Sequence, residues 1–337
     1  MTKEKTNNNM GLKVLLCGVG EKEPNRFVIN RNQVLLRYAL EERGIEYTYD
    51  LNEKCDLVHL LSLSQIKAYL QYRKLKNIPA VFTAFLSQAD LEYMKSNEAY
   101  FDVSKISKFS ADISKVIVYF PCQELIFNHH QKGGDVALAS IGGKYYPTSN
   151  YSKVEIDAFR KYYKIEKDRK IIFSYGEYVF SKGIDTLEAV ARIMPEYEFF
   201  FFGGKSGVLS NARHYEKGNN IANLHYEDDI HRELYHSLLM NATALFIPYE
   251  YHVDTCLILE AMKANVAIVS NKNPFLFDLL IKDKTALIGE SVEDFYNILK
   301  NVSEVNHTKE AFEYASKFTP SRYGEELEKV YLSVLNK

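Results

Sequence analysis

Along the 337-residue chain, short runs that are almost wholly apolar alternate with longer stretches whose apolar positions recur every three or four residues. KVLLCG (13–18), DLVHLL (56–61), AVFTAF (80–85) and KVIVYF (115–120) predict four strands in the first half. KIIFSY (170–175), EFFFFG (198–203), ALFIPY (244–249) and VAIVS (266–270) predict four more in the second. Between them VLLRYALEER (34–43), GIDTLEAVARIM (183–194) and IHRELYHSLLM (230–240) carry the helical period. Strands without polar alternation are covered on both faces, which marks parallel sheets flanked by helices. The predicted fold class is α/β, with doubly wound, Rossmann-like sheets.

The series breaks at IGGKYYPTSNYSK (141–153), a Gly-Gly, Pro and small-polar stretch without periodicity that fits a hinge. It divides the chain into an expected first domain over residues 1–145 and a second over 146–318. The amphipathic end of the chain, 319–337, is expected to form a helix that crosses back to the first domain. Two such domains facing each other make a cleft, and ligands of doubly wound sheets bind at the carboxyl ends of the strands.

Composition narrows the function. With 46% hydrophobic and 26% charged residues the chain can build a full core, and a net charge of −2 argues against a general nucleic-acid binder. Basic residues outnumber acidic ones 19 to 16 over positions 1–150, so the first half is mildly basic. Cys17, Cys55, Cys122 and Cys256 are widely spaced, which suits buried thiols in a reducing compartment better than disulfides or a zinc site. The polar start MTKEKTNNNM is no signal peptide, and no apolar run reaches the roughly 18 residues of a membrane helix. A cytoplasmic protein is expected.

Three strand-exit loops of the second half carry candidate chemistry. SYGEYVFSKG puts Lys182 before Gly183 at a helix start, a place for a diphosphate or simply for a solvated lysine and a turn. FGGKSG, with Gly203 and Gly204, resembles a nucleotide loop, but a P-loop needs glycine where Phe199 stands, so it reads as a close-approach strand exit. PYEYHVDT leads into a helix that Asp254 or Thr255 can cap, leaving the N–H groups near Cys256 and Leu257 facing the cleft. Glu260 lies about one and a half turns into that helix, among Leu257, Ile258, Leu259 and Met262. Its carboxylate either accepts two ribose hydroxyls or bonds to a neighbouring element.

The stretch ALFIPYEYHVDTCLILEAMKANVAIVS resembles the nucleotide-sugar signature of family 4 glycosyltransferases, retaining enzymes of the GT-B fold. SYGEYVFSKGIDTLEAVARIMPEYEFFFFGG is similar to the segment that precedes that signature. Within the family the style is similar to that of glucosyltransferases that extend glucosyl-diacylglycerol in low-GC Gram-positive bacteria and mollicutes. The likeness is good over about residues 155–290 and weaker over 12–140. It implies that Glu260 binds the ribose, that Lys182 binds the diphosphate, and that the amides after Asp254 meet the distal phosphate. It also implies a UDP-sugar donor, UDP-glucose above all, no metal or other cofactor, and a lipid-linked or glycan acceptor on the N-terminal side of the cleft.

Four positions depart from the family pattern. The first glutamate of its Glu-x7-Glu pair is His252, which stands where the donor sugar is expected. An arginine found after the first loop's glycine is replaced by Glu177, and a histidine near the reacting sugar by Thr83 or Phe85. NRFVINR (25–31) takes the place of a glycine-rich loop. Two readings follow: a retaining hexosyltransferase with Lys182 and His252 at the reacting centre, or a catalytically degenerate GT-B subunit that binds an acceptor or modulates a partner glycosyltransferase. An epimerase of the same architecture would need acid and base carboxylates that the sequence does not place.

Other features weigh less. His231 and His236 are five apart and do not share a helix face as an HExxH pair does, so no metal site is expected. The stretches 64–77 and 105–115 combine lysine and arginine with apolar residues at helical spacing. Each is either an ordinary surface helix or a helix that rests on an anionic membrane surface at the inner face of the cell membrane.

Overall fold

A computed structural model of the chain describes residues 11–17, 31–61, 69, 77–84, 113–130, 135–176, 182–203, 221–249, 254–303 and 307–336. Two six-stranded sheets, all parallel, organise them. The first runs in the order β2-β1-β3-β4-β5-β6, from β1 (Lys13–Cys17), β2 (Glu46–Thr48), β3 (Leu57–Leu60), β4 (Ala80–Thr83), β5 (Lys115–Val118) and β6 (Val136–Leu138). The second runs β12-β11-β10-β7-β8-β9, from β7 (Lys170–Tyr175), β8 (Tyr197–Phe202), β9 (Leu224–Glu227), β10 (Ala242–Ile247), β11 (Ala267–Ser270) and β12 (Leu287–Ile288). This is the expected α/β architecture of two doubly wound sheets. All eight apolar runs become strands. The four edge strands β2, β6, β9 and β12 lie outside those runs, because an edge strand has one partner and needs no continuous apolar sequence.

Among the described residues the helices of the first unit are α1 (Arg31–Arg43) and α2 (Pro121–His130). The second carries α3 (Lys153–Ile156), α4 (Ala158–Tyr162), α5 (Ile184–Ile193), α6 (Arg232–Asn241), α7 (Thr255–Lys263), α8 (Val292–Asn301) and α9 (His307–Ala315), and the chain closes in α10 (Pro320–Leu335). In each sheet the chain winds outward in both directions from one internal point. In the second sheet that point lies between β7 and β10, and loops leaving two such strands splay apart to leave a crevice.

Two chain crossings join the units. Ile141–Gly143, at the head of the segment read as a hinge, is buried. A Cβ on Gly142 would fall 2.3 Å from the Thr319 carbonyl carbon, and one on Gly143 would fall 2.7 Å from Leu259 Cβ. The missing periodicity of this stretch therefore reflects close backbone approach. The second crossing leads into α10, where Pro320 takes the first helical position and the Thr319 side chain accepts from the Arg322 amide at 3.2 Å.

Helix α10 packs on the first unit. The Tyr331 hydroxyl is 2.7 Å from His59 Nδ1 on β3, and Arg43 at the end of α1 bonds Glu328. Glu326 accepts from the Ser140 amide at 2.6 Å. Gly324 permits this closeness, since a Cβ there would lie 2.4 Å from the Ala39 carbonyl oxygen. Gly324→Ala should therefore lower stability by about 1–3 kcal/mol in chemical denaturation, despite alanine's better helix propensity. An unchanged or raised midpoint would show that α10 does not dock this tightly.

Candidate functional site

The loops on either side of the β7/β10 switch point meet over the carboxyl end of the second sheet. Gly203, at the exit of β8, has φ +151°, and a Cβ there would sit 1.5 Å from the Gly176 carbonyl oxygen. Gly183 is the N-cap of α5 with φ +60°, and a Cβ on it would collide with the Pro248 carbonyl oxygen at 2.3 Å. Only glycine satisfies both the left-handed backbone and the contact with the β10 exit.

Lys182, next to Gly183, is 4% exposed, and its stem runs alongside Gly176. Its ammonium lies 4.5 Å from the ring centroid of Tyr249, close enough for cation–π attraction. The Tyr249 hydroxyl donates to the Tyr175 carbonyl at 3.1 Å, and the Tyr175 hydroxyl donates to the Asp254 carbonyl at 3.2 Å. Two tyrosines thus stitch the exit of β7 to the start of α7. Asp254 stands at the N-cap position of α7, followed by Thr255, Cys256 and Leu257 in its first turn, all buried. Burial pushes the Asp254 carboxyl up to about 8; Glu260 adds to that push, while Arg31, the Leu257 amide and Lys182 oppose it. A neutral Asp254 keeps the amino end of α7 positive, which suits an anion.

So the structure brings Lys182, Gly183, Gly203, Asp254, Thr255, Cys256 and Leu257 to one end of one sheet. His252, Gly204, Glu177, Phe85 and residues 25–30 lie outside the described residues, as do most of 64–77 and 105–115. Thr83 is buried at the end of β4, with its hydroxyl 2.5 Å from His59 Nε2. It therefore belongs to the interior of the first unit.

Glu260 is fully buried, and its surroundings are not those of an open ribose site. Arg31, the first residue of α1 in the other unit, donates through Nη2 to Oε1 and through Nε to Oε2, the latter at 3.2 Å. The Lys144 amide donates to Oε1 at 3.0 Å, and the Tyr235 hydroxyl on α6 donates to Oε2 at 2.5 Å. Four donors fill the roughly four acceptor positions of a carboxylate, leaving none for a ribose hydroxyl. The ribose role implied by the family resemblance requires these donors to give way. The alternative already open in the sequence, a glutamate bonded to a neighbouring element, is the geometry observed.

Sequence reasoning missed this partner set. Arg31 is 2% exposed, its Nη2 also bonds the Tyr146 hydroxyl at 3.0 Å, and its guanidinium carbon lies 5.5 Å from the Tyr235 ring centroid. Burial opposes its charge, Glu260 more than offsets that, and the guanidinium pKa is raised. No local signal marks the pairing: in the sequence Arg31 closes NRFVINR ahead of the helical period at 34–43, and its partner lies 229 positions away. One turn further along α7, Lys263 donates to the carbonyls of Gly143 at 2.5 Å and Phe318 at 2.6 Å, one on each crossing. Among the described residues no group of His, Cys, Asp and Glu could hold a metal ion.

With this geometry in hand, residues 155–318 match the family model described as Glycosyl transferases group 1. Residues 155–318 form a group 1 glycosyltransferase domain. The chain is 24% identical over 344 aligned positions to a processive diacylglycerol alpha-glucosyltransferase of Acholeplasma laidlawii, covering 96% of this chain and 99% of that one. Among solved structures it is similar to the Anabaena Alr3699/HepE protein in complex with UDP and glucose, at 11% identity and TM-score 0.71, covering 95% of this chain and 99% of that one. It is also similar to a sucrose-phosphate synthase from Thermosynechococcus elongatus, at 17% identity and TM-score 0.68, covering 95% of this chain and 82% of that one. The fold is GT-B. Switch point, buried lysine and helix start all fall inside the glycosyltransferase domain.

Two outcomes test this site. Glu260→Ala strands the buried Arg31 charge and should cost about 3–5 kcal/mol of stability by denaturant titration; a loss under about 1 kcal/mol would mean the pair is not formed. Asp254 holds a proton when folded that it releases when unfolded. Its contribution is therefore favourable at acid pH and is lost as pH rises from about 4 towards about 8. The melting temperature of Asp254→Asn relative to the parent should accordingly climb between pH 5 and pH 8. A constant difference over that range would contradict the burial of the carboxyl.

Proposed function

We propose that the protein moves glucose from UDP-glucose, with retention, to a lipid-linked or glycan acceptor. The observation that carries this reading is the convergence of Lys182 and the amino end of α7 at the switch point of the second sheet. The chemistry concentrates charge on the departing UDP, and a retaining transfer through an oxocarbenium-like transition state draws much of its stabilisation from that side. Lys182 meets the diphosphate with a full charge, and the first-turn amides of α7 add the helix dipole. In this reading no metal is needed, because these groups supply the positive charge.

The relatives support this choice of donor and acceptor. The Acholeplasma relative is named as a diacylglycerol alpha-glucosyltransferase, and one fold neighbour is described with UDP and glucose. An α-glucoside made from the α-configured UDP-glucose retains the anomeric configuration. The first unit, across the cleft, would present the acceptor. No helix among the described residues is long and apolar enough to cross a membrane; in this reading a lipid acceptor is met at the cytoplasmic face of the membrane.

A second reading is favoured by one observation, the saturated Glu260: a GT-B subunit that has lost transfer and binds an acceptor or a partner glycosyltransferase. Calorimetric titration with UDP, UDP-glucose and UDP-N-acetylglucosamine, followed by UDP release from UDP-glucose over diacylglycerol vesicles, separates the two. Lys182→Ala should weaken UDP binding about 10- to 100-fold, the worth of a charge-assisted phosphate contact. It should also abolish UDP release. UDP binding no tighter than that of AMP would defeat the nucleotide-sugar reading, and binding without release would favour the subunit.

A further inference from the structure

Every group around Glu260 belongs to a different part of the chain. Arg31 opens α1 in the first unit, Lys144 lies on one crossing, Tyr235 sits on α6, and Glu260 itself is on α7. Both charged partners are removed from solvent, with side-chain exposures of 2% and 0%. A buried pair of this kind gains little net stability over an apolar pair of similar volume, so stability alone does not explain it. Its fork geometry does fix orientation, because two parallel N–H···O bonds define the plane and direction of both groups. The local electrostatics point the same way. Arg31 meets no acid in the first described turn of α1, and its charge is compensated from the other unit.

Glu260 stands five residues from Thr255, so the fork grips α7 roughly 8 Å behind its phosphate-facing end. Lys263 grips the same helix from its far end through Gly143 and Phe318. Helix α7 is therefore clamped between α1 and both crossings, while its amino end is left to face the cleft.

We propose that Arg31 is a positioning residue for donor binding. By saturating Glu260 it locks α1, the Lys144 crossing and α7 into one rigid corner and so fixes the aim of the α7 amino end at the diphosphate. This rests on the nucleotide-sugar reading above. Within it, Arg31 acts on the donor only through Glu260 and α7.

The test uses the full chain and two substitutions. Arg31→Lys keeps the charge but loses the fork. The Arg31→Met/Glu260→Leu double variant replaces the pair with apolar groups of similar size; it strands no charge, although Tyr235 and the Lys144 amide lose their acceptor, so it should stay folded and melt above Glu260→Ala. Titrations with UDP and with uridine, together with the rate of tryptic cleavage after Lys144, are the readouts. Both variants should lose at least 10-fold in UDP affinity with little change for uridine, and cleavage after Lys144 should quicken at least several-fold. Parent-like UDP affinity in either folded variant would overturn the proposal. So would tighter UDP binding by Arg31→Lys, which would mean that Arg31 masks a ribose ligand, or a loss shared equally by uridine. Should the parent not bind UDP at all, the donor reading fails separately. Cleavage then decides the corner, since unchanged rates in Arg31→Lys would overturn it and faster rates would support it.

Discussion

The buried fork between Arg31 and Glu260 is the constraint on which the rest of the arrangement depends. It is made between the first residue of one unit's first helix and the middle of the other unit's most buried helix. Removing either partner while the units stay docked would leave the other charge buried without its counter-charge, a penalty of several kcal/mol. The two sheets are thereby held in one relative orientation. Tyr235 and the Lys144 amide fill the remaining acceptor positions, so the carboxylate is satisfied and directional at once.

From that corner the logic of the cleft follows. The second sheet winds outward from β7 and β10, and the loops after those two strands carry Lys182 and the start of α7. Tyr175 and Tyr249 tie the loops to each other, and Gly183 and Gly203 let their backbones approach Pro248 and Gly176 closely. Burial pushes the Asp254 carboxyl up to about 8, so near neutral pH its charge does little to cancel the positive end of α7. In the proposed reading backbone and lysine together would bind an anion here, and the same groups would serve the leaving diphosphate of a sugar transfer.

Much of this was legible in the sequence, and the limits have physical causes. The eight interior strands announce themselves because both their faces are buried, whereas the four edge strands are short and leave no such trace. Lys182, Gly183, Gly203 and the Asp254–Leu257 turn could be placed at one end of the second sheet from the sequence because they lie in its strand-exit loops. The partners of Glu260 were not found. Arg31 lies 229 positions away, and no local pattern reveals a pairing made across two domains. The glycines at 142 and 143 read as flexibility, while in the structure they allow two crossings and α7 to touch.

The pairing of Arg31 with Glu260 is measured most directly by a double-mutant cycle, Arg31→Ala, Glu260→Ala and both together, followed by denaturant unfolding of the full chain. A fork that holds the two units together predicts strong coupling: each single substitution costs several kcal/mol, and the double costs at least about 1 kcal/mol less than their sum. Losses that add within about 0.5 kcal/mol would show that the two side chains do not hold each other, and the rigid corner would be gone.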